Sequence, residues 1–202
     1  MLNLRVRPSL TRLTDPLAVR LLAAGISPDA VTIVGTLGAS VGALALFPRG
    51  EFLAGTVVVT LCVLTDLLDG AMARRRGTAS RFGAWLDSSC DRVADAAIFS
   101  GLVLWYAGDG ANTLFTALAL YCLVSGGLVS YVKARAEGLG LRCDVGLAER
   151  AERLIVMLVG TGLAGLGLPV ALKVALWILA AASTVTVVQR LVEVRRQADA
   201  AV

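Results

Sequence analysis

The chain has 202 residues, of which 57% are hydrophobic and 17% are charged, with a net charge of +4 and a mean hydropathy of +0.78. Soluble domains are usually about 45–50% apolar and about 25% charged, so this composition excludes an ordinary soluble domain. The positive charge favours an anionic membrane surface or a phosphate-rich substrate over nucleic acid, because aromatic residues for base stacking make up only 5%.

The first 27 residues predict a cytoplasmic segment that carries a surface helix. Across residues 9–24, leucines recur at helical spacing with arginines between them, which is typical of an amphipathic helix lying on a membrane. We expect no signal peptide, because the segment has no compact apolar stretch followed by a small-residue cleavage site. Ser27, Pro28 and Asp29 then indicate the start of a helix, with a cap, a proline and an acid in the first turn.

Six uncharged runs predict a transmembrane domain of six helices between residues 28 and 192. A span needs roughly 20 apolar residues, and the fourth and fifth runs reach that length outright. The second and third runs reach it only if their polar ends also lie at membrane depth. The six runs are 30–48, 52–65, 96–108, 110–132, 154–172 and 174–189.

Most of the 19 Lys and Arg residues fall on one side of this six-helix arrangement. The opposite connections, around Arg49, Asp109 and Lys173, carry little charge. Because basic residues concentrate in cytoplasmic loops, we expect a multi-pass protein of the cell membrane with both termini in the cytoplasm. Residues 193–202 are then a cytoplasmic tail.

Two pairs of aspartates lie where the second and third predicted helices become polar. Asp66 and Asp69 are three residues apart and Asp87 and Asp91 are four apart, so each pair shares one helix face. Two consecutive antiparallel helices can therefore direct four carboxylates into one space. Such oxygen ligands suit Mg²⁺, Mn²⁺ or Ca²⁺ rather than zinc. An aspartate inside a membrane costs about 2.5–3.5 kcal/mol, which favours a metal site over ordinary helix-end charges paired with arginines.

A transporter or channel is the alternative from a different functional class, since acids within a membrane also mark ion pathways. A carrier would spread its acids over several spans, whereas these four cluster beside Arg74 on two adjacent helices. The clustering favours an enzyme. The chain has no histidine, so a carboxylate is the best candidate for a general base. The role of Asp95, which continues the face of the second pair, stays open.

The aspartates are part of a longer pattern that resembles the signature of the CDP-alcohol phosphatidyltransferases, D-x2-D-G-x2-A-R-x8-G-x3-D-x3-D. The resemblance implies an all-α integral membrane protein of six spans, a cytoplasmic active site and a homodimer. It also implies an enzyme that transfers the phosphatidyl group of a CDP-activated lipid to an alcohol and releases CMP. Each fixed position of the signature is met, at Asp66, Asp69, Gly70, Ala73, Arg74, Gly83, Asp87 and Asp91.

The same resemblance implies a role for each residue of the signature. Two Mg²⁺ ions, or Mn²⁺ in their place, would be held by Asp66, Asp69 and Asp87 and by Asp66, Asp87 and Asp91. Asp91 would also take the proton from the acceptor hydroxyl. The CDP-lipid would contact residues of the signature and of the first predicted span, namely Asp29, Ala30, Val31, Thr32, Gly70, Ala73, Arg74, Ser80 and Gly83.

Basic residues after the fourth span bear on the identity of the acceptor alcohol. They either form a phosphate pocket near Asp91 or only anchor the helices on the cytoplasmic side. Residues 130–137 and 149–153 resemble the actinobacterial phosphatidylinositol-phosphate synthase branch of the family, which implies CDP-diacylglycerol and inositol 1-phosphate as substrates. Glycerol 3-phosphate is the alternative acceptor. The basic residues that would grip the acceptor phosphate are Lys133, Arg135, Arg153 and Arg190.

Overall fold

The structure, a computed structural model, describes residues 16–76 and 80–199, and its regular elements within those ranges are all helical. This confirms the all-α prediction. The part of the predicted surface helix that precedes residue 16 lies outside the described residues. The helices are α1 (residues 16–23), α2 (Pro28–Leu46), α3 (Phe52–Arg76), α4 (Arg81–Ala107), α5 (Thr113–Glu137), α6 (Arg150–Gly165) and α7 (Pro169–Asp199), with a short 3-10 helix at Phe47–Arg49.

Four helices in the described ranges, α2, α3, α5 and α7, are long and apolar enough to cross a membrane. They support the prediction of an integral membrane protein. The 27-residue α4 carries Asp87 and Asp91 in its first half. The 16 residues of α6 extend about 24 Å, less than the roughly 30 Å of a bilayer core. Two of the six predicted spans therefore do not meet the criterion of length and composition, and the count of six stays a prediction.

The fifth uncharged run does not form one helix, contrary to the predicted span at 154–172. α6 ends at Gly165 and α7 begins at Pro169. Gly167 in the intervening turn has φ +95°, a conformation that favours glycine, and a proline fits the first position of a helix. The turn is as apolar as the helices beside it, so the absence of charge did not reveal it. α7 also continues through residues 193–199, which the sequence assigned to a tail.

The described chain divides into two compact units, and the first includes residues 16–43 and 57–97. Within it α2 packs against α3 through glycines. A Cβ atom on Gly38 would lie 2.7 Å from Cys62 Sγ, and one on Gly42 would lie 2.6 Å from Val58 Cγ1. Side chains at these positions would force the helices apart, so the glycines permit the close approach.

α1 joins the first unit through a small apolar cluster. Ala18 packs with Ala71 and Met72 of α3, and all three residues are almost fully buried. Leu17 and Val19, on either side of Ala18, are exposed. The described part of the N-terminal helix therefore packs along one edge against the helix that carries Asp66 and Asp69.

The second unit contains Leu44–Thr56 and the chain from Ile98 onward, described to residue 199. α7 packs against both α5 and α6. Thr56 and Thr161 share a hydrogen bond of 2.7 Å between their hydroxyls. A Cβ atom on Gly160 would lie 2.6 Å from the Cβ of Ala175, which explains the close contact of α6 with α7.

Candidate active site

Three of the four signature aspartates converge within the first unit. Asp66 lies on α3, and Asp87 and Asp91 lie one turn apart on α4. One carboxylate oxygen from each residue lies within 4.8 Å of the other two. The spacing of four places the α4 pair on one helix face, and the packing of α3 beside α4 brings Asp66 to it.

This donor set fits a hard divalent cation. Three carboxylates supply only oxygen ligands, the type that Mg²⁺, Mn²⁺ and Ca²⁺ prefer. Three like charges this close repel one another, and a bound dication would relieve that repulsion. The side chains of Asp66 and Asp91 are partly buried and that of Asp87 is exposed, so the cluster remains open to solvent on one side.

Asp69 is placed differently from the other three aspartates. Its side chain is 7% exposed, and its Oδ2 accepts a hydrogen bond of 2.5 Å from Thr32 Oγ1 on α2. It is not part of the group whose oxygens converge within 4.8 Å among the described residues. The sequence did not predict this contact. The resemblance implies that Thr32 contacts the CDP-lipid, and no local pattern pairs it with a residue 37 positions away.

The other predicted contacts of the CDP-lipid lie near the start of α2, on α3 and at the start of α4. Ser80 Oγ caps α4 by accepting a hydrogen bond of 2.8 Å from the backbone N–H of Gly83. A Cβ atom on Gly83 would lie 3.6 Å from Asp29 Oδ1, so these three residues are neighbours. A Cβ atom on Gly70 would lie 3.3 Å from Arg74 Nη1. The remaining members of the set are Ala30 and Val31 on α2 and Ala73 on α3.

The four predicted acceptor residues lie in the second unit, and two of them are buried while the other two reach solvent. Arg153 and Arg190 are buried, with exposures of 4% and 3%. Arg135 is exposed. Lys133 is one-third exposed, and its Nζ donates a hydrogen bond of 2.9 Å to Asp144 Oδ1.

The buried arginines hold the loop of residues 138–149 between α5 and α6, which we call the α5–α6 loop. Arg190 Nε donates to the backbone carbonyl of Val145 at 2.8 Å, and its Nη1 donates to a carbonyl of α5 at 2.5 Å. Arg153 Nη1 donates to the carbonyl of Ala148 at 2.9 Å. Both guanidinium groups therefore support the backbone here, a role that their predicted place at helix ends did not reveal.

α7 fixes the same loop through two polar side chains that the sequence analysis did not single out. Thr186 Oγ1 accepts hydrogen bonds from the backbone N–H groups of Leu147 and Ala148, at 3.2 and 3.0 Å. The side-chain amide of Gln197 accepts from the N–H of Arg142 and donates to its carbonyl, at 3.0 and 2.6 Å. The only sign of this role in the sequence was Thr186 itself, a polar residue within an apolar span.

Asp144 projects from this fixed loop toward Lys133. Its side chain is 75% exposed. The hydrogen bond from Lys133 and the positive charge of that residue hold the pKa of Asp144 below its usual value. A depressed carboxyl pKa means that the pair persists at neutral pH and is lost as the pH falls through the folded-state pKa. At neutral pH a carboxylate therefore occupies one side of the Lys133 ammonium group.

Comparison with known sequences supports the resemblance inferred from the signature. Residues 25–188 match the profile of the CDP-alcohol phosphatidyltransferase family. A phosphatidylinositol phosphate synthase of Streptomyces avermitilis is 54% identical over 211 residues, which cover 100% of this chain and 86% of that protein. One from Mycobacterium tuberculosis is 50% identical over 188 residues, which cover 92% of this chain and 87% of that protein.

Solved structures agree with the sequence comparison. The crystal structure of Mycobacterium tuberculosis phosphatidylinositol phosphate synthase with CDP-DAG bound matches with a TM-score of 0.88 at 50% identity, covering 91% of this chain and 94% of that chain. The same protein in complex with manganese and citrate matches with a TM-score of 0.85 at 50% identity, covering 90% and 88%.

Because three carboxylates converge, we expect Mn²⁺ or Mg²⁺ to raise the melting temperature of the detergent-purified protein. Asp66→Asn should remove most of this increase, since it takes away one ligand charge of three. Thermal unfolding during a metal titration measures the effect, with Mn²⁺ binding followed by EPR. Asp109→Asn, at an exposed aspartate in the turn after α4, is the control and should keep the increase. An undiminished metal response in Asp66→Asn would contradict the assignment.

Proposed function

The chain belongs to the CDP-alcohol phosphatidyltransferase family, and we propose that it transfers the phosphatidyl group of CDP-diacylglycerol to a hydroxyl of inositol 1-phosphate, giving phosphatidylinositol phosphate and CMP. Family membership makes the chain a transferase rather than a transporter. The observation that carries the proposal is the convergence of Asp66, Asp87 and Asp91, three residues of the family signature, in a chain about half identical to phosphatidylinositol phosphate synthases.

The signature aspartates hold divalent metal in this proposal. One Mg²⁺ would be held by Asp66, Asp69 and Asp87, and a second by Asp66, Asp87 and Asp91. Mn²⁺ could replace both Mg²⁺ ions. Bound cations supply the positive charge that offsets the pyrophosphate of the CDP-lipid. The manganese complex of the Mycobacterium tuberculosis protein supports the choice of metal.

Asp91 serves as the general base. The acceptor hydroxyl oxygen forms a bond to the lipid-linked phosphorus, the bond from that phosphorus to the CMP oxygen breaks, and CMP leaves with the electron pair. The hydroxyl proton passes to the Asp91 carboxylate. The chain lacks histidine, so a carboxylate is the best candidate for the base, and Arg92 Nη2 lies 3.7 Å from Asp91 Oδ2.

The nucleotide end of the CDP-lipid binds at the start of α2 and around the signature. Gly70 and Gly83 present no side chain, so phosphate groups can approach the backbone of α3 and α4 closely. Arg74 lies beside Gly70 and is exposed, which suits a guanidinium that donates to phosphate oxygens. Asp29 and Ser80 are neighbours of Gly83 and complete this group, together with Ala30, Val31 and Ala73.

The phosphate of the acceptor binds to Lys133, Arg135, Arg153 and Arg190. An arginine has five N–H donors, so a guanidinium that supports the α5–α6 loop can still direct positive charge at a phosphate. Lys133 is already paired with Asp144, so an acceptor phosphate gains this ammonium group by displacing a carboxylate. That exchange costs little, because Asp144 is mostly exposed and its carboxylate can turn into water.

The membrane arrangement in this proposal has six spans, with α4 and α6 added to the four long apolar helices. The N-terminal helix lies on the cytoplasmic membrane surface as an amphipathic element, and both termini and the active site face the cytoplasm. Residues 1–27, 28–192 and 193–202 are the N-terminal segment, the catalytic domain and the tail. Two copies of the chain form a homodimer in the cell membrane.

The choice of acceptor is tested with purified protein, CDP-diacylglycerol and Mg²⁺ in detergent micelles. We expect inositol 1-phosphate to give CMP and phosphatidylinositol phosphate, because the basic residues provide charge for a phosphate that inositol and serine lack. CMP release and mass spectrometry of the lipid product are measured, with EDTA as the metal-free control. Product from glycerol 3-phosphate and none from inositol 1-phosphate would show that the acceptor is wrong.

Asp91→Asn should lower the turnover number by about 10²–10⁴-fold, since an amide of the same shape cannot accept the hydroxyl proton. Binding of CDP-diacylglycerol should persist, as measured by protection of the protein against thermal unfolding. Asp95→Asn is the matched control. It removes a carboxylate one turn further along α4, whose Oδ2 lies 3.8 Å from the same arginine, and should retain most of the activity. Substantial turnover by Asp91→Asn would exclude Asp91 as the base.

Because Lys133 is paired with Asp144, we expect substitutions of these two residues to change the KM for inositol 1-phosphate in opposite directions. Lys133→Met should raise this KM about 10-fold by removing a charge-assisted hydrogen bond. Asp144→Asn should lower it about twofold to fivefold, because the phosphate no longer displaces a carboxylate. The KM for CDP-diacylglycerol should stay constant, and Lys173→Met on α7 is the control for loss of a lysine. A raised KM in Asp144→Asn would mean that Asp144 orients Lys133 instead of competing for it.

A further inference from the structure

Thr32 and Asp69 form a buried contact between α2 and α3. The distance from Thr32 Oγ1 to Asp69 Oδ2 is 2.5 Å, and the two residues are 6% and 7% exposed. Little of the Thr32 surface is therefore accessible to a bound nucleotide. This contrasts with the role that the family resemblance implies for it, which is to contact the CDP-lipid.

The hydroxyl of Thr32 has a single hydrogen to donate. Two acceptors lie within reach, the backbone carbonyl of Pro28 at 3.2 Å and the carboxylate of Asp69 at 2.5 Å. An ionised carboxylate is the stronger acceptor and gives the shorter bond, so the hydrogen points to Asp69. The hydroxyl is then committed to a protein group and has no hydrogen left for a nucleotide.

The contact is fixed by the way in which α2 and α3 pack. Gly38 of α2 faces Cys62 of α3, and Gly42 faces Val58, so residues four further along one helix meet residues four further back on the other. Continued toward the start of α2, the same antiparallel register brings Thr32 level with Leu68 and its neighbour Asp69, whose carboxylate it contacts. The glycines bring the two backbones close enough for a short hydroxyl to span the gap. The β-branched side chain of threonine adds few rotamers, so the hydroxyl direction is restricted.

We propose that Thr32 is a positioning residue for the metal centre, whose hydroxyl fixes the carboxylate of Asp69. The inference rests on the proposed function in one respect, namely that Asp69 is a metal ligand. It replaces the contact with the CDP-lipid that the resemblance implies for the Thr32 hydroxyl. Groups that orient a ligand in this way typically change metal affinity by about 10–100-fold when they are removed. Through this bond the packing of α2 on α3 sets the orientation of a carboxylate beside the cluster of three.

The test compares Thr32→Val, which keeps the shape and removes the hydroxyl, with Thr32→Ser, which keeps the hydroxyl. Mn²⁺ affinity is measured by EPR on the detergent-purified protein without either substrate, and the melting temperature without metal is recorded in parallel. We expect Thr32→Val to weaken Mn²⁺ binding about 10–100-fold and Thr32→Ser to restore it to within about threefold of the parent. Thr36→Val is the matched control, since Thr36 is also buried on α2 one turn further along, and it should leave the affinity unchanged.

Two results would overturn the proposal. In the first, Thr32→Val keeps the parent Mn²⁺ affinity and raises the KM for CDP-diacylglycerol, which would return Thr32 to the nucleotide. In the second, Thr32→Val, Thr32→Ser and Thr36→Val all weaken Mn²⁺ binding in proportion to a lowered melting temperature, which would make the role one of packing. The CMP-release assay of the unmodified protein tests the proposed acceptor independently, because the Mn²⁺ measurement contains no substrate.

Discussion

The mutual repulsion of Asp66, Asp87 and Asp91 is the constraint on which the first unit depends. Their oxygens approach within 4.8 Å at a point where α3 and α4 pack together, so the helix contact brings like charges to one place. Arg92 lies near Asp91 and offsets part of that charge. Three carboxylates this close favour a divalent cation, and the repulsion that destabilises the packing also provides affinity for metal.

Close helix packing supplies the rigidity that such a cluster requires. The glycines of α2 hold it against α3, and Ala18 of α1 packs on Ala71 and Met72 immediately after Asp69 and Gly70. In a membrane protein small residues at helix contacts replace the hydrophobic driving force that water provides for a soluble core. The residues that stabilise the first unit therefore also determine where its carboxylates lie, and packing and function share one interface.

Helix periodicity relates only residues that are close in sequence, so it could predict contacts within one helix but not those between helices. Spacings of three and four residues were enough to place each aspartate pair on one face, and the structure brings Asp66 together with the α4 pair. The direction of Asp69 could not be predicted, because it depends on Thr32, 37 positions earlier. Hydropathy likewise identified the apolar helices but not the turn at Gly167, because an apolar turn and an apolar helix have the same composition.

The basic residues show a second limit of sequence reasoning, and it bears on specificity. Lys133, Arg153 and Arg190 are all predicted at helix ends, yet the two arginines are buried with donors bonded to backbone carbonyls, whereas Lys133 is paired with an exposed carboxylate. A buried guanidinium that leaves its partners exposes an unsatisfied carbonyl to an apolar interior, which is costly. Lys133 exchanges Asp144 for another anion at little cost, because both partners reach water. In the proposed acceptor site, Lys133 is therefore the one of these three residues whose partner a phosphate can replace without rearranging the α5–α6 loop, because the buried arginines hold that loop in place.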